Sequence, residues 1–231
     1  MTTPPVIAPD PLAALPPLAR WLLERCKPDN DALALVTPTV TIEALYAQWM
    51  ERKYFPSAIR LIAAVLPARE SIWWAWVSVR HSTQAVGGTP PTAAQHATLG
   101  HVERWIVRPD DPTRREVWES ANKAGLNSAV GMVGAAVFLS GVTVGPSDAP
   151  VVPPPPGAIV PIIPGAILVA AATNSDPARI EPTTVAFAAQ GLEVVKRLGG
   201  WDVAARQAYD THQRAEQEYA QLLGSSNAAT S

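Results

Sequence analysis

The stretch LPARESIWWAWVSVRH, Leu66 to His81, places three tryptophans, Trp73, Trp74 and Trp76, within four positions. At helical spacing Trp73, Trp76, Val77 and Arg80 share one face, Ile72, Ala75 and Val79 another, with Trp74 between them. Only a narrow strip around Ser71 and Ser78 is polar. A helix apolar nearly all round must be wrapped by other helices or by lipid. Pro67 suits a first helical turn, where its missing N–H costs nothing. The segment is therefore expected to be the central helix of an all-α domain, with Trp73→Ala more damaging than Trp74→Ala because Trp74 lies nearer the polar strip.

Helical signals continue on both sides. Pro16 and Pro17 can open a helix to about Cys26. Thr41 can cap a helix whose Ile42, Leu45, Tyr46, Trp49 and Met50 form one stripe. Ile59, Ile62, Ala63 and Leu66 face inward from a third. Beyond a Gly87-Gly88-Pro90-Pro91 loop, Thr92 and Gln95 form a capping box. Asp111-Pro112 starts another helix, with the Asp111 carboxylate as the expected cap, and Gly125 ends it. In the next helix Gly131, Gly134 and Ala135 permit close backbone approach. Ala34 to Thr41 is the best strand candidate, but Pro38 makes an extended linker the alternative.

Two regions interrupt the pattern. Gly141 to Gly157, GVTVGPSDAPVVPPPPG, reads as a stiff strap, either joining two packed helices or serving as a proline-rich ligand. Ala158 to Ala172 is almost wholly apolar, yet Pro161 and Pro164 interrupt it and a bilayer span needs about twenty residues. A buried helix from near Pro164, packed on Ser128 to Val144, is preferred to a membrane hairpin. A helix from Glu181 or Pro182 to Leu198 and one from Asp202 to Leu223 complete the chain. Trp201, Ala204, Ala208, Ala215, Tyr219 and Leu222 mark one thin side of the last. The expectation is a single domain of nine or ten helices over residues 16–223, a flexible proline-rich arm over 1–15 and a disordered tail over 224–231. Asp-Pro-x-Arg followed by Gly-Leu occurs at Asp111 to Leu126 and Asp176 to Leu192, as a duplicated unit or as recurrent capping chemistry.

Composition narrows the function classes. Of 231 residues 16% are charged and the net charge is −2, so no basic field draws nucleic acid. One cysteine, Cys26, precludes an intramolecular disulfide. His96 and His101 stand about 140° apart around a helix and cannot grip one metal from one face. No phosphate loop, nucleophile elbow or HExxH motif is present, and no cofactor is implied. The candidate binding or structural cluster is Trp73, Trp76 and Arg80. Its arginine needs a partner: either stacking on Trp76 with an acidic residue from another helix, or a carboxylate or phosphate ligand.

Several segments in order carry a family likeness: LPARESIWWAWVSVRH, WIVRPDD at Trp105 to Asp111, AGL ending at Leu126, VVPPPPGAI and GAILVAAA at Gly165 to Ala172. With these the chain resembles an uncharacterised family of bacterial proteins often encoded beside type VI secretion genes. The resemblance implies a cytoplasmic accessory of a contractile secretion machine and no catalytic residues. Two functions follow as expectations. One is a non-catalytic adaptor or chaperone-like protein whose partner is another protein, such as a spike component or effector, met on the outer polar side of the last helix. The alternative is a small-molecule-binding protein or enzyme using a Trp-lined pocket around Arg80.

Overall fold

The computed structural model describes residues 12–84, 90–173 and 176–228. They form one all-helical domain of α1 (Pro17–Cys26), α2 (Asn30–Leu33), α3 (Ile42–Glu51), α4 (Phe55–Val65), α5 (Ala68–Gln84), α6 (Ala93–Val107), α7 (Asp111–Ala124), α8 (Ala129–Leu139), α9 (Ile162–Ala172), α10 (Ile180–Arg197) and α11 (Trp201–Ala228). A 3-10 turn at Pro177–Arg179 precedes α10. No strand occurs among the described residues, and no helix among them is long and apolar enough to cross a membrane. The eleventh helix is α2, a single turn hidden from any periodicity argument. Asp29 anchors it by accepting from Ser57 Oγ and Arg60 Nη1; the Trp49 indole N–H binds the Ala32 carbonyl at 2.9 Å. Ala34 to Thr41 makes turns rather than a strand.

Central position is shared by α4 and α5. Helix α4 is buried from Ser57 to Val65 apart from Arg60 and contacts α1, α3, α9, α10 and α11. Helix α5 contacts α6, α8, α9 and α10. The expected order of the tryptophans is reversed. Trp74 is fully buried and Trp73 only partly so. The polar strip faces inward as well, because a helix surrounded by others has no side on which to keep hydroxyls wet. Ser78 donates to the Trp74 carbonyl at 2.9 Å and Ser71 to that of Leu66 at 3.4 Å, so both are satisfied inside the helix. The Trp74 indole N–H reaches across to the Phe187 carbonyl of α10 at 2.8 Å. A Cβ on Gly191, one turn further along α10, would stand 2.6 Å from that ring. Gly191 is thus a notch within a helix and Gly125 a helix end with φ of 86°. The two Asp-Pro-x-Arg echoes therefore lead to unlike structures.

Helices α6, α7 and α8 pack in succession, and α8 lies on α9 as the apolar pair expected from the sequence. Gly131 and Gly134 let α8 approach α7: added Cβ atoms would overlap the Gly125 backbone and Ala121. The cap of α7 is Asp110, which accepts from the Thr113 amide at 2.8 Å, and not Asp111. Asp111 instead binds Arg114 and Arg115. Arg114, 3% exposed, lies 4.9 Å over Phe138 and donates to the carbonyls of Phe138 and Thr143. Arg115 binds the Gly145 carbonyl at 3.0 Å. The strap is thereby riveted to α7 at its start, and the pairing of Val144 N–H with the Val152 carbonyl at 2.8 Å folds it back.

The other boundary differences are local. Helix α9 begins at Ile162, and α11 runs to Ala228 rather than stopping at Leu223 before a tail. Leu12 and Leu15, at the end of the expected arm, pack on the core; residues 1–11, the Gly87-Gly88 part of the loop and residues 229–231 lie outside the described residues.

Trp74→Ala is expected to cost about 3–5 kcal/mol in urea unfolding, with Trp73→Ala clearly milder; the reverse order would contradict this packing. Arg114→Met should lose on the order of 2 kcal/mol, since it strands the buried Phe138 carbonyl, frees that of Thr143 and breaks the pair with half-exposed Asp111. Limited proteolysis should then cut within the strap faster than in the unaltered protein.

Candidate functional site

The sequence-predicted cluster divides. Trp76 is buried and its indole N–H donates to the Leu99 carbonyl of α6 at 3.0 Å. Arg80 lies 5.0 Å over the Trp76 ring and 3.7 Å from Glu103, with both charged side chains about half exposed. Trp73 packs on the core at partial burial. These contacts use the three side chains to join α5 to its neighbours. Cys26 is buried, and burial pushes its thiol up to about 12, which leaves it protonated despite Arg25 and Lys27 beside it. His101 Nδ1 lies 3.2 Å from Ser120 Oγ. Among the described residues no group of three His, Cys, Asp or Glu side chains converges as metal ligands would.

A different place gathers unusual side chains. Trp21 and Arg25 are one turn apart on α1; Tyr209, His212 and Glu216 follow at i, i+3 and i+7 on α11, so each set lies on one face. The two faces meet. Trp21 takes the edge of Tyr209 at 5.2 Å and packs against the His212 ring at 5.5 Å. The Arg25 guanidinium lies 5.1 Å over Trp21. Arg25 Nε donates to the Ala64 carbonyl at 3.2 Å and Nη1 lies 3.2 Å from His212 Nδ1. An arginine can only donate, so His212 Nδ1 accepts and its proton resides on Nε2, 3.3 Å from Glu216. The chain Arg25–His212–Glu216 therefore requires a neutral imidazole. Burial lowers the His212 pKa, the nearby guanidinium adds to this and Glu216 opposes it. Burial also draws Arg25 down to about 10, and it stays charged at neutral pH.

This cluster stands at the side of the protein's long groove, about 680 Å³ in volume, between the strap and α11. Pro153 to Pro156, Ile159 and Val160 form one wall. Ala208, Ala215, Tyr219 and Leu222 form the other, with Leu139 to Val142 and Leu66 to Ala68 also contributing. The thin apolar side of the last helix, visible in the sequence, thus supplies core residues at Trp201 and Ala204 and a groove wall further along. No local signal marks Arg25 and His212 as neighbours, since 187 positions separate them.

The charge state of His212 gives a pH prediction. Above its unfolded value of 6.5 both folded and unfolded forms are neutral; as pH falls below it the unfolded chain gains the proton first, and stability drops. Asp29, Asp110 and Asp111, held below their ordinary 3.8 by hydrogen bonds, act at lower pH. Unfolding free energy should decline from pH 7 toward pH 5, and His212→Asn, whose amide oxygen can still accept from Arg25, should flatten that decline. An equal slope in the variant would remove His212 from the account.

No curated protein and no solved structure matches the chain. A family model does match, over residues 45–195, a span that contains the strap wall of the groove but neither Arg25 nor His212. On that match the chain belongs to DUF6931, a family of unknown function.

Proposed function

We propose that the protein is a non-catalytic interaction protein that receives a segment of another protein in the groove between the strap and α11. The observation that carries this reading is the shape of the groove. From Ala208 to Leu222 its α11 wall rises about 21 Å, enough for four turns of a helix or about six residues of extended chain. Its lining is mainly Pro, Ala, Val, Ile and Leu, with polar side chains of α11 and Arg25 among them. Long troughs of this kind suit peptide segments, whereas metabolite sites are concave and close over most of their ligand. The contact surface is thus the inward apolar stripe of α11 rather than its outer polar side. The resemblance to proteins encoded beside type VI secretion genes supplies a context for this reading. In it the protein is a cytoplasmic adaptor or chaperone-like accessory, and the received segment belongs to a spike component or an effector. The Trp73, Trp76 and Arg80 cluster supports a ligand site less well, because the Trp76 N–H and the Arg80 head are already engaged by α6.

Ala215→Arg would fill the trough from a partly exposed position. Affinity capture from native cells, read by mass spectrometry, is expected to lose its specific partners with this variant while thermal melting stays cooperative. Secretion-machine proteins among the lost partners would support the adaptor role. Capture unaffected by Ala215→Arg would reject the groove as the contact, and turnover of a small substrate abolished by Arg80→Ala in a folded protein would reject the non-catalytic reading.

A further inference from the structure

Arg25 is a feature that apolar groove walls do not call for. Other arginines of the fold reach carboxylates: Arg60 pairs with Asp29 at 2.8 Å, Arg104 with Glu116 at 2.7 Å, and Arg114 and Arg115 share Asp111. Arg25 has no carboxylate within ion-pair distance among the described residues; Glu216 favours its charge only from beyond that distance, across neutral His212. Yet Trp21 covers its face, and Nε and Nη1 are directed to Ala64 and His212. Arg25 is thus a half-buried cation with no carboxylate in direct contact, and a charged acceptor from outside can still engage it. Its Nη2 has no acceptor among the described residues, and the guanidinium lines the groove. Gly157, needed for its φ of 78°, has a second effect here. A Cβ at that position would stand 2.9 Å from Nη1 and 3.8 Å from Nη2, so a side chain here would crowd the edge that the glycine spares.

We infer that Arg25 is the carboxylate receptor of the groove, and that the segment received there is apolar along its length with one Asp or Glu side chain seated on the Nη1–Nη2 edge. The inference rests on the reading of the groove as a docking trough and specifies its occupant. A planar carboxylate matches the guanidinium fork, and its single negative charge matches the half-buried guanidinium of Arg25. A phosphate dianion fits less well, because Asp210 and Glu218 already balance Arg25 and Arg214 in the groove lining and Glu216 stands behind His212. Arg25 meets α11 at His212, between Ala208 and Tyr219 along the wall. It therefore meets a bound segment inside the trough, about 6 Å from its Ala208 end, which selects an internal acidic side chain over a chain terminus.

Dodecapeptides displayed on phage and selected on the full chain provide the test. The selected sequences should be apolar with one recurrent Asp or Glu, and a synthetic winner should lose binding to the Ala215→Arg variant. Changing the acidic residue of that peptide to its amide should weaken binding to the unaltered protein at least about tenfold, the usual scale of a charge-assisted bond. This comparison needs no altered protein, so it holds even where an Arg25 substitution unfolds the chain. With Arg25→Met, if folded, the acid and amide peptides should bind alike. Groove-dependent peptides with no acidic position, or acid and amide twins of equal affinity, would overturn the carboxylate receptor and leave the docking trough standing. A phosphoserine twin that binds more tightly than the acid would overturn it in favour of phosphate. Failure to select any peptide, or peptides indifferent to Ala215→Arg, would overturn the trough and the receptor together.

Discussion

The seat of Trp74 against α10 holds the two halves of this protein together. Its indole occupies the notch left by Gly191, and its N–H finds the Phe187 carbonyl, so the largest buried side chain of α5 is both packed and satisfied. An indole buried without that bond would leave a donor stranded in an apolar core. A side chain at Gly191 would push α10 away from α5. Since α10 also rests on α4, α9 and α11, displacement there would spread to both layers. The helices nearest the chain start reach the core through α4, and those of the middle reach it through α5. One tight contact between α5 and α10 sets the spacing of both.

Buried charge organises the surface in a similar way. Arg114 is folded into the angle between α7 and the end of α8, where it ties the strap to the body through main-chain carbonyls. A Cβ on Gly141 would overlap its guanidinium, so the strap must leave α8 through a residue without a side chain. The rivet matters for the groove because a stiff proline segment keeps its direction only where its base is held. Arg25 is treated differently. Its aromatic cover and its bond to a neutral histidine leave it half-buried beside the groove, with no carboxylate in direct contact among the described residues.

The two walls have different standing within the family. The strap and the helices under it fall inside the matched span, whereas α1 and α11, which bring Arg25, His212 and the apolar stripe, lie outside it. The matched body thus offers a fixed proline wall, and the flanking helices complete the trough.

By itself the sequence determined the helical class and most helix limits, because those depend on local facts. Thr41, Thr92 and Ser128 each accept the third amide after them, Gly125 ends α7, and Gly131 and Gly134 announce close packing. It also marked the strap and the thin apolar side of α11. Tertiary structure decided which tryptophan is central, because an all-round apolar helix has no preferred face until its neighbours are placed. It decided that Asp110 caps and Asp111 clamps, since two adjacent carboxylates look alike until an arginine comes within reach. It alone united Arg25 with His212 from opposite ends of the chain. Periodicity and capping act over one or two turns, whereas a binding groove depends on contacts between distant segments that no local pattern encodes.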